Sequence, residues 1–259
     1  MRPPVTLFRL ALAAHFAGAL LWAADVDSDR LERAHEEPSN WLTYYGTYAS
    51  WRYSELDQID RSNVSDLRPV WAFESGFTDG GMQSTPLVVD GVMYVSTAWN
   101  HVFALDAASG AQIWRYDYPE PEAIPGLYGT WNRGVAVAYG LVFMGTLDNH
   151  VVAIDRKTGK EAWKVEVEDA DQCGCNITSA PLVVKDLVVT GVTGGDSAHR
   201  GYINAYDART GRHRWRFWTI PGPGEPGHET WEGDSWKSGG GSSWTVSYTH
   251  LTLPTKRIV

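Results

Sequence analysis

The segment Ala104-Leu105-Asp106-Ala107-Ala108-Ser109-Gly110, followed by Trp114, decides the fold, because the same arrangement occurs twice more in the chain. It recurs in residues 153–163 and 205–215, each time ending in Trp. The shared pattern is Ala, an apolar residue, Asp, two variable residues, Ser or Thr, and Gly, with Trp four positions later. The intervals between the three tryptophans are 49 and 52 residues. Self-similarity at such a period indicates a repeat architecture.

Each repeat predicts a hairpin between two β-strands. The Asp carboxylate can accept backbone N–H bonds and so start a tight turn, and Gly adopts the positive φ angle that other residues resist. Short apolar and β-branched runs precede the turns, which gives about four strands in roughly 50 residues, as in a β-propeller blade. The recurrent Trp would pack between blades, where its N–H needs a partner. The apolar runs are residues 86–89, 92–95, 141–144 and 181–184.

We therefore predict an all-β protein with β-propeller blades. A β-sandwich is the alternative, but it would show closer turns and no self-similarity at this period. Trp71, after residues 67–70, resembles the end of a preceding unit, so about four blades are expected. A closed ring of eight such blades needs roughly 400 residues. The 259 residues would therefore form part of a ring.

The composition is that of an acidic globular protein. There are 22 basic and 31 acidic residues, which gives a net charge of −9, and 43% of residues are hydrophobic. An acidic chain without a basic stripe argues against a nucleic-acid partner. The 13 Trp and 26 Gly are unusually many and agree with strands joined by tight turns.

The N-terminus predicts a secretory signal peptide. Residues 1–9 contain two Arg and no acid, and residues 10–22 are apolar except for His15. Small residues follow, so we place the cleavage after Ala23, with no stable membrane span afterwards. An uncleaved anchor is the alternative, although the run is short for a membrane-crossing helix. In a bacterium the mature chain would be periplasmic.

Eight short motifs follow one another between about residues 40 and 245. We assign residues 24–245 to a partial propeller domain. This ordered set resembles the quinoprotein dehydrogenases, the methanol and ethanol dehydrogenase family of periplasmic enzymes that depend on pyrroloquinoline quinone (PQQ) and whose complete propellers have eight blades. The motifs are Trp51-Arg52-Tyr53-Ser54, residues 67–71, residues 83–91, Trp131-Asn132-Arg133-Gly134, Thr178-Ser179-Ala180-Pro181, residues 194–201, residues 229–237 and Gly239-Gly240-Gly241-Ser242-Ser243-Trp244.

The resemblance implies a PQQ site at the propeller centre. Arg133 matches an arginine near the quinone, and its cationic fork suits a carboxylate. Trp244 matches the tryptophan that stacks on the cofactor ring. A surface ion pair for Arg133 and blade docking for Trp244 are the alternatives. Further cofactor contacts implied by the resemblance are Gln83, Thr178, Thr193, Gly194, Gly195 and Ser242.

Some of these residues have ordinary structural explanations. Thr and Gln at bends are usually structural, whereas the Ser242 hydroxyl could donate to a PQQ carboxylate. Asp196 matches the family's Glu metal ligand, and a carboxylate suits Ca²⁺ or a lanthanide beside PQQ. Asp is one methylene shorter than Glu, and an exposed loop carboxylate is the alternative.

The cysteines depart from the family pattern. Many members have two adjacent, bonded Cys before the Asn-Arg-Gly element, but residues 127–130 contain none. The two Cys present are Cys173 and Cys175. Because an exported chain favours oxidised Cys, we predict a local disulfide between them. Two Cys alone do not make a metal site.

The C-terminal part also departs from the family. Residues 246–259 match no family element, and our hypothesis is that they are a foreign tail produced by a sequencing or assembly artefact. The family's catalytic Asp base, its Asn metal ligand and a second cationic residue come from later blades. We therefore expect no catalytic residue in this chain and no dehydrogenase activity from the isolated 259 residues.

The expected function of the longer parent is oxidation of a primary alcohol, with hydride transfer to PQQ and electrons passed to cytochrome c. Two alternatives stay open. One is a propeller scaffold of outer-membrane assembly, which would have no reason to keep Arg133, Asp196 and Trp244 together. The other is a quinoprotein that acts on sugars or polyols.

Overall fold

Three four-stranded antiparallel sheets follow one another along the chain, and each is a meander of consecutive strands. The computed structural model describes residues 25–77, 81–119, 129–196 and 198–243. The sheets are the predicted propeller blades. Blade 1 is β1 (Leu87–Val89), β2 (Val92–Ser96), β3 (Val102–Asp106) and β4 (Gln112–Tyr116); blade 2 is β5 (Ala136–Ala138), β6 (Leu141–Gly145), β7 (His150–Asp155) and β8 (Glu161–Glu166); blade 3 is β9 (Leu182–Val184), β10 (Leu187–Gly191), β11 (Tyr202–Asp207) and β12 (His213–Trp218).

Helical structure is limited to short pieces. α1 (Ser28–Glu32) is capped by the Asp27 carboxylate, and α2 (Ala170–Cys173) is capped by Asp169 and ends at Gly174 in the left-handed conformation. Over the described ranges, no helix has the length and apolar character needed to cross a membrane. The described residues also form five 3-10 turns: Ala34–Glu36, Val64–Asp66, Ala98–Asn100, His228–Thr230 and Ser235–Ser238.

Burial falls from the inner to the outer strand of each blade. All three residues of β5 are buried, as are the four central residues of β7, whereas no residue of the last strands β8 and β12 is fully buried. β5 and β9 are neighbours across the blade boundary. Strands that are covered on both faces have continuous apolar sequences. The loops that lead into β5 and β9 therefore lie side by side at the inner edges of blades 2 and 3.

The repeated Asp and Gly form the turns that the sequence predicts. The Asp155 carboxylate accepts the N–H of Thr158 at 2.8 Å and its hydroxyl at 2.8 Å, and Asp106 and Asp207 make the equivalent bonds. Gly159 follows at φ +70°, where a Cβ would be strained. The predicted turn chemistry is confirmed.

The tryptophans dock each blade onto the next. The Trp114 indole N–H of blade 1 donates to the Arg156 carbonyl of blade 2 at 2.8 Å. The ring also rests on Gly159, where an added Cβ would lie 2.9 Å from it. Trp163 repeats the arrangement on blade 3, with its N–H on the Ala208 carbonyl at 3.2 Å. The predicted packing position and N–H partner are confirmed for Trp114 and Trp163, whereas Trp215 of the third repeat is 41% exposed.

Trp71 docks onto blade 1 in the same way. Its N–H donates to the Ala107 carbonyl at 3.2 Å, and a Cβ on Gly110 would lie 2.6 Å from its ring. Among the described residues, 67–74 form no strand. Trp71 therefore occupies the docking position of a fourth unit, while three complete blades are described.

Candidate cofactor site

Loops from blades 2 and 3 enclose one cleft of about 490 Å³, which we call the central cleft. The cleft brings together seven of the nine residues that the sequence assigns to PQQ and metal binding: Arg133, Thr178, Thr193, Gly194, Gly195, Asp196 and Ser242. It lies where the loops before β5 and β9 meet the turn after β10 and the segment after β12. The remaining lining residues are Gly129, Trp131, Asn176 and Gly241.

Arg133 provides a positive charge in this cleft. Its Nη1 donates to the Thr178 hydroxyl at 2.8 Å, and its backbone N–H donates to the Thr178 carbonyl at 2.9 Å. Burial lowers the pKa of the Arg133 guanidinium from its usual value, but an arginine remains protonated in proteins. A half-buried cation with fixed donors favours an anionic ligand.

Asn132 fixes the backbone that presents Arg133. Its side chain is 1% exposed. Its Oδ1 accepts the Gly134 N–H at 3.0 Å and the Ser96 hydroxyl at 2.6 Å, and its Nδ2 donates to the Gly145 carbonyl at 2.9 Å. Because both ends of the Asn132 amide are bonded, the loop before β5 holds Arg133 in one place.

Thr193 and Asn176 form a reciprocal pair on the opposite wall. The Thr193 hydroxyl donates to the Asn176 Oδ1 at 2.7 Å and accepts the Asn176 backbone N–H at 2.9 Å. The Ser242 hydroxyl donates to the Thr193 carbonyl at 2.9 Å. The sequence-based expectation was that the Ser242 hydroxyl could donate to a cofactor carboxylate, whereas in the structure its proton points to the neighbouring wall.

The Gly194–Gly195 backbone is packed against protein from behind. Gly194 has φ +97°, and a Cβ there would lie 3.2 Å from the Cβ of Cys175. A Cβ on Gly195 would lie 3.4 Å from the Cβ of Ser242. Cys173 and Cys175 form the predicted disulfide, with their Cα atoms 5.1 Å apart. The disulfide loop therefore lies directly behind the glycine wall of the cleft.

Asp196 is exposed at the cleft. Searched over the described ranges, His, Cys, Asp and Glu form no group of three or more that could hold a metal ion. Ca²⁺ takes six to eight oxygen ligands, more than the Asp196 carboxylate supplies, and the assignment of Asp196 as a metal ligand stays a prediction.

Two predicted contacts are not among the described lining residues. Gln83 is exposed ahead of β1 and is not a lining residue of the cleft, and Trp244 lies outside the described residues. The proposed signal peptide and tail, residues 1–23 and 246–259, also lie outside the described residues.

Trp131 and Asn176 line the cleft, although the sequence did not assign either to the site. Trp131 is half-buried and lines the cleft beside Gly129, and it opens the Trp-Asn-Arg-Gly motif that contains Arg133. Asn176 is buried and lies directly after the Cys-Gly-Cys segment. Trp131 could have been identified from its motif and Asn176 from its place two residues before Thr178, because the neighbours of a binding residue commonly share its loop.

Comparison with known proteins gives the family. The family model described as "Glucose/ethanol/alcohol dehydrogenase, beta-propeller domain", under the name PQQ, matches residues 41–249. The chain belongs to this quinoprotein alcohol dehydrogenase family. The quinohemoprotein alcohol dehydrogenase ADH-IIG of Pseudomonas putida is 40% identical across 93% of this chain and 36% of its own length. The methanol dehydrogenase [cytochrome c] subunit 1 of Methylobacterium organophilum is 37% identical across 92% of this chain and 42% of its own length.

Solved structures of the family have the same fold. The Pseudomonas putida ADHIIG structure superposes with a TM-score of 0.77 at 41% identity, covering 85% of this chain and 34% of that one. A europium-containing methanol dehydrogenase superposes with a TM-score of 0.75 at 40% identity, covering 83% of this chain and 41% of that one. The chain thus spans between about a third and two fifths of these relatives.

Proposed function

We propose that the protein containing this chain binds PQQ in the central cleft and uses it to oxidise a primary alcohol, with cytochrome c as electron acceptor. The observation that supports this most directly is the convergence of Arg133, Thr178 and the Gly194–Gly195 backbone on one cleft. These residues come from separate blades and were assigned to the same cofactor from motifs alone. The relatives named as alcohol and methanol dehydrogenases support the reaction class.

The central cleft fits the chemistry of PQQ, a flat tricarboxylate. Its volume of about 490 Å³ is within the range of small-molecule sites. Arg133 can pair with a carboxylate, and the Trp131 ring offers an apolar face. Glycine at positions 194 and 195 lets the backbone that lines the cleft pack closely against Cys175 and Ser242. When bound, PQQ supplies the quinone that is reduced as the alcohol is oxidised.

The described residues of this chain bind and orient rather than remove a proton. Thr178 accepts from Arg133 and so sets the direction of the guanidinium fork, while the Thr193–Asn176 pair fixes the opposite wall. The resemblance assigns the Asp base that takes the alcohol proton to later blades of the family. We propose that this chain supplies the cofactor half of the site.

The metal assignment stays with Asp196 alone. A Ca²⁺ or lanthanide ion beside PQQ would need oxygen ligands in addition to the Asp196 carboxylate. We assign no step of the reaction to a metal.

We place the protein in the periplasm, with residues 1–23 as the export signal. The Cys173–Cys175 disulfide supports this proposal, because disulfides persist mainly in oxidising compartments. Cell fractionation of the native host tests it. Recovery of the protein with cytoplasmic markers and with free thiols would contradict the proposal.

PQQ binding to the purified gene product tests the central claim. We expect Arg133→Gln to weaken PQQ binding about ten- to a hundredfold, the value for losing one charge-assisted hydrogen bond. Arg209→Gln is the matched control, since Arg209 lies over the Tyr139 ring at 4.1 Å and does not line the central cleft. Equal PQQ affinity in both variants would refute the assignment.

Alcohol-dependent dye reduction then tests the reaction. With the longer protein that contains this chain, we expect primary alcohols to reduce the dye only when PQQ is present, whereas the isolated 259 residues should reduce none. A parallel panel of sugars and polyols sets the substrate class. A gene product that binds no PQQ and reduces no dye would instead support the propeller scaffold.

A further inference from the structure

The segment 219–243 follows β12 and supplies Gly241 and Ser242 to the central cleft. Its described residues form two 3-10 turns and no β-strand. Among the described residues, strand pairing contributes only an isolated β-bridge between Arg200 and Gly240, so the position of the rest of the segment depends on other contacts. These contacts hold Ser242 against Thr193 and so maintain that wall of the cleft.

Arg200 makes several of these contacts at once. Its guanidinium lies between two indole rings, 4.2 Å from the Trp218 centroid and 4.8 Å from the Trp236 centroid. Its Nε donates to the Ile220 carbonyl at 2.9 Å, and its Nη2 pairs with the Glu225 carboxylate at 3.2 Å. The Arg200 side chain is 15% exposed. Trp236, Ile220 and Glu225 all belong to the segment.

The backbone beside Arg200 meets the end of the segment that enters the cleft. The Gly201 N–H donates to the Gly240 carbonyl at 2.7 Å, and a Cβ on Gly201 would collide with the Gly241 carbonyl. A Cβ on Gly222 would lie 2.9 Å from the Arg200 Nη2. Glycine is therefore required at position 201, where the clash is with backbone, and the segment lies directly against Arg200 and Gly201.

We propose that Arg200 is a positioning residue that holds the segment 219–243, and with it Gly241 and Ser242, at the wall of the central cleft. Arginine suits this position because its flat guanidinium can stack on two rings while its in-plane N–H groups still donate. A lysine keeps the charge but lacks the plane and the fork. The positioning of the segment by Arg200 does not depend on PQQ, whereas its effect on PQQ binding rests on the proposed function.

Other contacts keep the segment attached when Arg200 is changed. The Thr219 hydroxyl donates to the Gly241 carbonyl at 2.6 Å, and Ser242 is bonded to Thr193. We therefore expect loss of Arg200 to loosen the segment rather than unfold blade 3.

Amide hydrogen exchange of the ligand-free gene product tests the positioning directly. We expect Arg200→Met to raise exchange at residues 236–243 about tenfold and Arg200→Lys to raise it less, with β9–β11 unchanged. Trp236→Leu removes one of the two rings and should give the same local pattern. Arg209→Met is the control, because it removes a guanidinium from an aromatic ring away from the cleft and should leave the segment unchanged.

PQQ dissociation measured on the same proteins gives the second readout. We expect faster dissociation in Arg200→Met, with Arg200→Lys intermediate and Arg209→Met unchanged. The proposal would be overturned if exchange at 236–243 in Arg200→Met equalled that of the unmodified protein. It would also be overturned if Arg200→Lys and Trp236→Leu exchanged faster throughout the protein rather than at 236–243. If no protein binds PQQ but the local exchange pattern holds, the positioning role stands and the proposed function fails.

Discussion

The contact between Trp114 and Gly159 gives a sharp stability prediction. In Gly159→Ala, the new methyl group would meet the Trp114 ring at 2.9 Å, and the residue would have to keep φ +70°. A left-handed conformation costs a non-glycine residue about 1–2 kcal/mol. Forcing an extra methyl into a packed site costs about 1–3 kcal/mol more. We therefore expect Gly159→Ala to lower the free energy of unfolding by about 2–5 kcal/mol.

Gly140→Ala in the same blade separates the two contributions. Gly140 has φ +72°, and nothing lies within 4 Å of an added Cβ. Its variant should lose only the backbone part, about 1–2 kcal/mol. Urea unfolding of both variants at an unchanged m-value measures the difference. If the two variants lose the same free energy, tryptophan docking does not depend on glycine and the argument fails.

Three further predictions concern the same blades. Trp114→Phe leaves the buried Arg156 carbonyl without its donor and should cost about 1–3 kcal/mol in urea unfolding, whereas the change to Phe at Trp215, which is 41% exposed, should cost under about 0.5 kcal/mol. The Asp148 carboxylate raises the pKa of His150; burial alone would raise the pKa of Asp148, but hydrogen bonds, first from His150, lower it to about 2. The contribution of His150 to the free energy of unfolding is therefore full below its ordinary pKa of 6.5 and lost above the raised one, while that of Asp148 is full above 3.8 and lost towards pH 2. Asp148→Asn should therefore destabilise the protein more at pH 5 than at pH 8. Equal losses at the two pH values would contradict the pairing. Cys173→Ser opens a very short disulfide loop and should cost about 1–2 kcal/mol, and no loss in chemical unfolding would contradict a native disulfide.

The blades could be predicted because their information is local. The Asp carboxylate bonds to residues two or three positions away, and the Gly follows within the same turn. The fourth unit was harder to predict. Trp71 docks as the sequence indicates, but residues 67–74 form no strand, since strand formation depends on partners elsewhere in the chain.

The site was predictable in its membership but not in its hydrogen bonds. Motif resemblance identified Arg133 and Thr178, and the structure pairs them. The partners of Thr193 and Ser242 could not be predicted, because Ser242 lies 49 residues from Thr193 and bonds to its backbone. Gln83 is exposed and is not a described lining residue of the cleft, and its assigned role stays a prediction.

Each repeat contains both halves of the joint between blades, the indole that donates and the turn that accepts. A duplicated repeat would therefore arrive with a donor for the blade after it and an acceptor for the blade before it. Blade number can then change by whole-unit duplication without any new interface having to evolve. The arrangement also has a direction, since the indoles of Trp71, Trp114 and Trp163 each donate to the later blade. A reversed unit would present two donors at one boundary, which selects for head-to-tail growth of the ring.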